Sequence, residues 1–144
     1  MPKSMAWEFE GRLNVVVHGP KDPSNLEWER FLAETVSRRA KPRAAGEAAP
    51  ELVVIVVSHG GVPDGGQRKQ LAKTIERNVA PTVVMTDSPM MLGVHRVLAF
   101  FNPRQCAVGL HAEKAAFDFL GLSSDERTSA KRLRAKLEAE LEIP

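Results

Sequence analysis

The chain has one cysteine, no tyrosine and no apolar run long enough to cross a bilayer. Cys106 has no partner for an internal disulfide and no second thiolate for a metal cluster, which fits a reducing cytoplasm. The longest unbroken apolar stretch, Leu52 to Val57, falls far short of the roughly 20 residues of a membrane-crossing helix. The opening Met1-Pro2-Lys3-Ser4-Met5-Ala6-Trp7 has no apolar stretch of signal-peptide length, so a cytoplasmic protein is expected. Charge of one sign is also scarce. Twenty Lys and Arg against 18 Asp and Glu leave a net charge of +2, too little for a nucleic-acid footprint. No repeat with a period of about 20 to 50 residues is visible.

What is present is enough apolar sequence, 43% of 144 residues, for a single domain over residues 1–144 with one core. Its periodicity alternates. Trp7 to Glu10, a turn at Gly11-Arg12 and Leu13 to His18 read as a β-hairpin. Asp22-Pro23-Ser24-Asn25 supplies helix-capping chemistry, and Trp28, Phe31, Leu32, Thr35 and Val36 then share one helical face. Residues 38–50, rich in Ala, Pro and basic side chains, read as a mobile loop. The β-branched run Leu52 to Val57 is expected to be the central strand, covered on both faces. A helix starting near Gln67 turns Leu71, Ile75 and Val79 inward and stops before Pro81. Thr82 to Thr86 is another strand. Asp87 or Ser88 then caps a helix with Pro89 at its first position, and Met90, Val94, Val97, Leu98 and Phe101 are expected on its inner face before Asn102-Pro103 ends it. Cys106 to Leu110 makes a short strand. A short helix over Ala112 to Leu120 and a longer one over 124–142, with Leu133, Leu137 and Leu141 on one stripe, complete the chain. The order β-β-α-β-α-β-α-β-α-α predicts an α/β fold with a mixed, mostly parallel sheet of four to five strands and an N-terminal hairpin.

The hairpin Phe9-Glu10-Gly11-Arg12-Leu13, the stretch Glu51 to Val57 leading through a loop to a helix, and Pro81 to Ser88 carry a resemblance to a known family, joined by Phe100-Phe101-Asn102 and Glu113 to Leu120. In this succession of elements the chain resembles the STAS domain of anti-sigma-factor antagonists, in its free-standing bacterial form, a fold grouped with the CRAL-TRIO lipid binders. The resemblance spans Trp7 to Leu141. It implies a regulatory domain that acts by contacting another protein. Regulatory STAS domains place a phosphorylated serine in an Asp-Ser-Ser/Thr-Gly turn after a central strand. Here that place holds Ser58-His59-Gly60-Gly61, and only Ser58 and a glycine map onto the pattern, so phosphorylation of Ser58 or Ser88 stays open.

In an open α/β sheet, ligands sit outside the carboxyl ends of the strands, where the loops Ser58 to Gly66 and Thr86 to Pro89 are expected to converge. The candidate ligand or partner residues there are Ser58, His59, Gly60, Gly61, Asp64, Arg68, Asp87 and Ser88. Glycines ahead of a helix can offer backbone N–H groups to an anion, with Arg68 and Lys69 beside them and Arg96 on the following helix, or simply shape a turn. The P-loop and dinucleotide spacings are missing. Ser58, His59 and Asp87 include the residue types of a hydrolytic triad, but the Gly-x-Ser-x-Gly elbow is absent, and helix capping is the stronger explanation of Asp87 and Ser88. His18, His59, His95 and His111 lack metal-ligand spacing, although the rings of His18 and His59 could line one rim. No cofactor or metal is expected. The leading expectation is therefore a non-enzymatic STAS-like regulatory or scaffold domain that binds another protein. The alternative is a small-ligand or lipid binder with a pocket between the sheet and the Met90/Met91 helix, and a Ser/His hydrolase stands third. Self-association and a small apolar or anionic ligand remain open.

Overall fold

The computed structural model describes residues 3–39, 52–75, 80–101 and 103–143. Beyond residue 39, the expected mobile loop 38–50 lies outside the described residues, as do Val79, Asn102 and the side chains of Ile75, Leu98 and Phe101. The elements are β1 (Met5–Glu10), β2 (Leu13–His18), α1 (Asn25–Arg39), β3 (Val53–Ser58), α2 (Gly65–Ile75), β4 (Thr82–Thr86), α3 (Pro89–Phe101), β5 (Gln105–Val108), α4 (Glu113–Leu120) and α5 (Ser124–Glu140). They form a five-stranded sheet in the order β1-β2-β3-β4-β5. β1 runs antiparallel to β2, and every other neighbour is parallel. The α/β class, the mixed sheet and the element order match the sequence expectation, with β3 at the centre.

Alternation along each strand divides the core in two. Ala6, Leu13, Val15, Val17, Val53, Ile55, Val57, Val83 and Met85 pack against Ala116, Phe117 and Leu120 of α4 and Ala130, Leu133 and Leu137 of α5. On the other face Met5, Val16 and the half-buried Trp7, Val54 and Val56 meet Trp28, Phe31 and Leu32 of α1 and Leu71 of α2. The right-handed crossover rule places α3 on this second face too, because β3, β4 and β5 succeed one another in a single direction.

α5 carries Asp125 and Glu126 in its first turn, which suits the helix dipole, but ends on Glu138 and Glu140 with no basic residue in its last turn, which does not. Leu133 and Leu137 are fully buried, and each contributes roughly 2 kcal/mol by leaving water. Glu8 and Glu10, which alternate with Ala6 on the α5 side of β1, pair with Lys136 and Arg132. A capping box starts the helix: Glu126 N–H donates to the Ser123 hydroxyl and Ser123 N–H donates to the Glu126 carboxylate. The same carboxylate accepts two hydrogen bonds from Arg12 at the hairpin turn, and Arg12 also reaches the Gly121 carbonyl.

α3 departs from the sequence reading. Met90, Val94 and Val97, expected inside, are 74%, 50% and 61% exposed, whereas Met91, Leu92 and His95 are the half-buried positions. The helix is apolar nearly all round, so a 3.6-residue period offers two candidate inner faces, and the position of β4 and β5 selects one of them. Val36, near the end of α1, is likewise 49% exposed. β5 begins and ends slightly earlier than expected, and Leu110 enters the α4–α5 core from the segment that follows it.

The Arg12–Glu126 pair yields an acid-stability prediction. Arg12, together with the Ser123 N–H, lowers the Glu126 carboxyl from 4.5 to about 2. Its contribution is therefore complete above pH 4.5 and fades as the pH falls towards 2. Glu126→Gln keeps the capping geometry and loses the charge. We expect it to lower stability at pH 7 by on the order of 1 kcal/mol after solvent screening, with the gap to wild type closing on acidification, as read by urea unfolding at a series of pH values.

Candidate functional site

The parallel registers place His18 opposite Ser58 and Ser58 opposite Thr86, so the carboxyl ends of β2, β3 and β4 form one polar row. The side chains of all three are buried and, by strand alternation, belong to the α1–α3 face. The Ser58 and Asp87 turns thus open at a common rim.

Two loops close over that rim by backbone contact. Gly61 N–H donates to the Gly19 carbonyl at 2.8 Å, and His59 N–H continues the ladder to the His18 carbonyl at 2.9 Å. Val62 N–H donates to the Asp22 carboxylate. A Cβ on Gly61 would stand 2.1 Å from the Lys21 carbonyl oxygen and 2.6 Å from that of Gly19. Gly60 sits at φ +127°, beside the Pro20 backbone. Close approach and a left-handed backbone, rather than looseness, explain the Gly60-Gly61 pair.

The polar candidates shape this surface. The Ser58 hydroxyl donates to the Gly61 carbonyl at 2.8 Å and accepts from Gly60 N–H. Asp64 and Gln67 form a reciprocal cap, each side chain accepting from the other's backbone N–H, so α2 begins at Gly65. Arg68 donates to the Pro63 carbonyl within the loop. Ser88 caps α3, accepting from Met91 N–H, while its own N–H donates to the Thr86 hydroxyl. Asp87 is exposed.

His59 turns to the opposite face of the sheet. Its Nε2 meets Glu138 of α5 at 2.6 Å, and Glu138 also contacts Arg134, whose guanidinium donates to the Leu110 carbonyl. His18 faces α1, near Glu27. The two rings therefore do not line one rim, because consecutive registers project to opposite faces. His95 meets the Gln105 side chain beside β5. Among the described residues no three His, Cys, Asp or Glu side chains converge as a metal set.

Sequence reasoning missed two residues that organise the rim. Gln67, 2% exposed, donates from Nε2 to the Pro23 carbonyl and to Asn25 Oδ1, while its carbonyl accepts from the Trp28 indole. Glu27 completes a capping box with Ser24 and also accepts from the backbone N–H groups of Ser4 and Met5. The spacings Ser24-x-x-Glu27 and Asp64-x-x-Gln67 were the available signal. A groove of about 270 Å³ runs beside β1, lined by Lys3, Trp7, Glu27, Arg30, Glu34 and Glu140.

Within the row, His18 Nδ1 is buried with no hydrogen-bond partner, as is Asn14 Oδ1 further down β2. Burial lowers the His18 pKa from 6.5 to about 4, against a partly opposing pull from Glu27 and Asp22. Folded protein then resists protonation that the unfolded chain accepts, so this site removes stability as the pH falls from 6.5 towards 4. His18→Leu should match or exceed wild-type stability at pH 7, since no partner is orphaned, and should flatten the wild-type slope across that interval. Chemical denaturation at pH 7.0 and pH 5.0 reads both effects. Gly61→Ala should cost about 3 kcal/mol or prevent folding, because the obstructing atoms are backbone on a paired loop, and a urea midpoint measures the loss.

No protein-family model matches the sequence, and no curated protein matches it. Comparison of folds finds an uncharacterized protein from the DUF3478 family with a SpoIIAA-like fold, from Shewanella loihica PV-4. That structure is similar with a TM-score of 0.56 at 14% sequence identity, over 83% of this chain and 95% of the other. At that identity the likeness concerns architecture alone, and the architecture of this chain is SpoIIAA-like, the STAS-like arrangement.

Proposed function

We propose that this chain is a non-enzymatic STAS-like domain that regulates or scaffolds another protein by binding it. The observation that carries the reading is the internal engagement of the rim. Ser58, the serine of the hydrolase alternative, is 4% exposed and donates into its own loop. Asp64 and Ser88 serve helix starts, and Arg68 holds the loop carbonyl of Pro63. What reaches solvent there is a shaped surface of Pro20, Lys21, Leu26, Gly60, Arg68 and Asp87, held by paired backbone. A surface fixed before contact loses little conformational freedom on association, which suits recognition of a folded partner. The SpoIIAA-like architecture supports the same reading at the level of fold.

Two measurements test it. Native mass spectrometry of protein purified from its source should return the chain mass, 15.8 kDa, without a retained small molecule. A stoichiometric apolar or anionic passenger would instead favour the ligand-binding alternative. Assays with generic ester, phosphate and nucleotide substrates should show no turnover that Ser58→Ala or His59→Gln abolishes. Turnover lost in either variant would overturn the non-enzymatic assignment.

A further inference from the structure

His18 is the last residue of β2, and its ring lies beneath the rim rather than on it. The residue is 3% exposed, and Nδ1 has no hydrogen-bond partner. Above the ring the chain is held by short backbone links. The His18 carbonyl accepts from His59 N–H, Gly19 N–H donates to the Ser4 carbonyl, and the Gly19 carbonyl accepts from Gly61 N–H. For a side chain at the end of its strand to reach water, only the segments around residues 19–22 and 59–62 need to part. Val15 and Val17, further down β2, are 0% exposed and stay packed beneath the α4–α5 layer in such an opening.

The charged groups that act on the ring are both acidic, and both are already engaged in fastening the rim. Glu27 of α1 accepts from the backbone N–H groups of Ser4 and Met5, and Asp22, ahead of α1, accepts from Val62 N–H. Glu27 thus ties down the start of β1, and Asp22 ties down the loop after β3. Across the sheet the ring's neighbours are Met5 and Ser58, neither of them charged. Lys3 and Lys21 stand exposed at the margin, and Gln67, which orders the loop at Pro23, is neutral. A protonated imidazole carries an N–H at Nδ1 as well as a charge. In the closed rim that donor has no acceptor, and a carboxylate that swings to it leaves Val62 or the start of β1.

We propose that His18 is an acid-operated latch on the rim, whose protonation parts the segments at residues 19–22 and 59–62 while the sheet below stays paired. The inference rests on the protein-binding reading for its consequence, that acid takes apart the surface offered to the partner, and so names a regulation of that same site. The opening itself is a property of the free chain. Its sign follows from burial, which holds the closed ring at about 4, whereas an opened rim returns it to 6.5. The open form therefore binds the proton better, and opening is favoured as the pH falls from 6.5 towards 4. Between pH 7.0 and pH 5.0 the open fraction rises about twentyfold.

Hydrogen exchange of the full chain, followed by NMR and corrected for the intrinsic rate at each pH, reads this opening amide by amide. Protection of the Gly19, His59 and Gly61 amides should fall about twentyfold from pH 7.0 to pH 5.0. At both values these amides should exchange faster than those of Val15 and Ile55 in mid-strand, whose release requires the sheet to come apart. His18→Leu should reduce the fall to about threefold or less, while His59→Gln, which removes the other ring at this level, should retain it. The wild-type ring supplies a reading that needs no variant: its NMR signals should stay those of the neutral form down to pH 5.0. Rim protection that does not change with pH, a fall of equal size in His18→Leu, or a fall lost in His59→Gln overturns the latch. So do rim and mid-strand amides that exchange together at both pH values, or a His18 ring that titrates at about 6.5 while the rim amides stay protected. Ser58-dependent turnover or a retained small molecule strikes the protein-binding reading instead, and with it the consequence of the opening but not the opening.

Discussion

The in-register run of three parallel strands, β2, β3 and β4, governs the rest of the molecule. It puts His18, Ser58 and Thr86 level with one another, so the loops that follow must leave the sheet side by side. Backbone N–H and C=O groups in such a crowded, half-buried position need partners, and each loop supplies them to its neighbour. The 2.8 Å bond from Gly61 to Gly19 leaves no room for a Cβ. A glycine pair that looks permissive in sequence is in structure a point of tight fit.

Three helices that leave or return to this framework begin in the same way. Ser24 with Glu27, Asp64 with Gln67 and Ser123 with Glu126 each pair a cap residue with a side chain three positions on. In every case the second residue also reaches across the fold. Glu27 accepts from the start of β1, Gln67 donates to the loop ahead of α1, and Glu126 receives Arg12 from the hairpin turn. One side chain thus satisfies orphan donors at a helix start and fixes where that start sits against another element. The sheet sets the level of the rim, and these doubled caps set the angles at which helices depart from it.

The element order, the hairpin, the central position of β3 and the starts of α3 and α5 were all legible, because each rests on local signals: β-branched runs, a cap residue, a proline at the first helical position. The common rim followed from topology. Side-chain facing was legible only where the pattern was two-valued. For β3 the run Val53 to Val57 is apolar at every position, and for α3 apolar residues surround the axis, so the inner stripe could not be chosen from spacing. The His59–Glu138 contact joins residues 79 positions apart, and no local signal announces it. Gln67 was within reach, since Asp64-x-x-Gln67 is a capping pattern, but its second role depends on the loop at Pro23.

The rim and the outer face of α3 differ in what they leave unsatisfied. A surface fixed in advance loses little freedom on contact, and apolar groups left in water gain most from being covered. At the rim, Ser58, Asp64, Gln67, Arg68 and Ser88 already have partners within the chain, and a ligand would have to displace them. On α3 the situation reverses. Met90, Val94 and Val97 meet water in the free chain, and covering them recovers about 25 cal/mol for each Å² removed from solvent with no internal bond broken. The rim's rigidity still matters to that surface. Ser88, bonded back to Thr86, anchors the start of α3 to the end of β4, so the stripe is presented in a fixed direction by the same row of residues that orders the sheet.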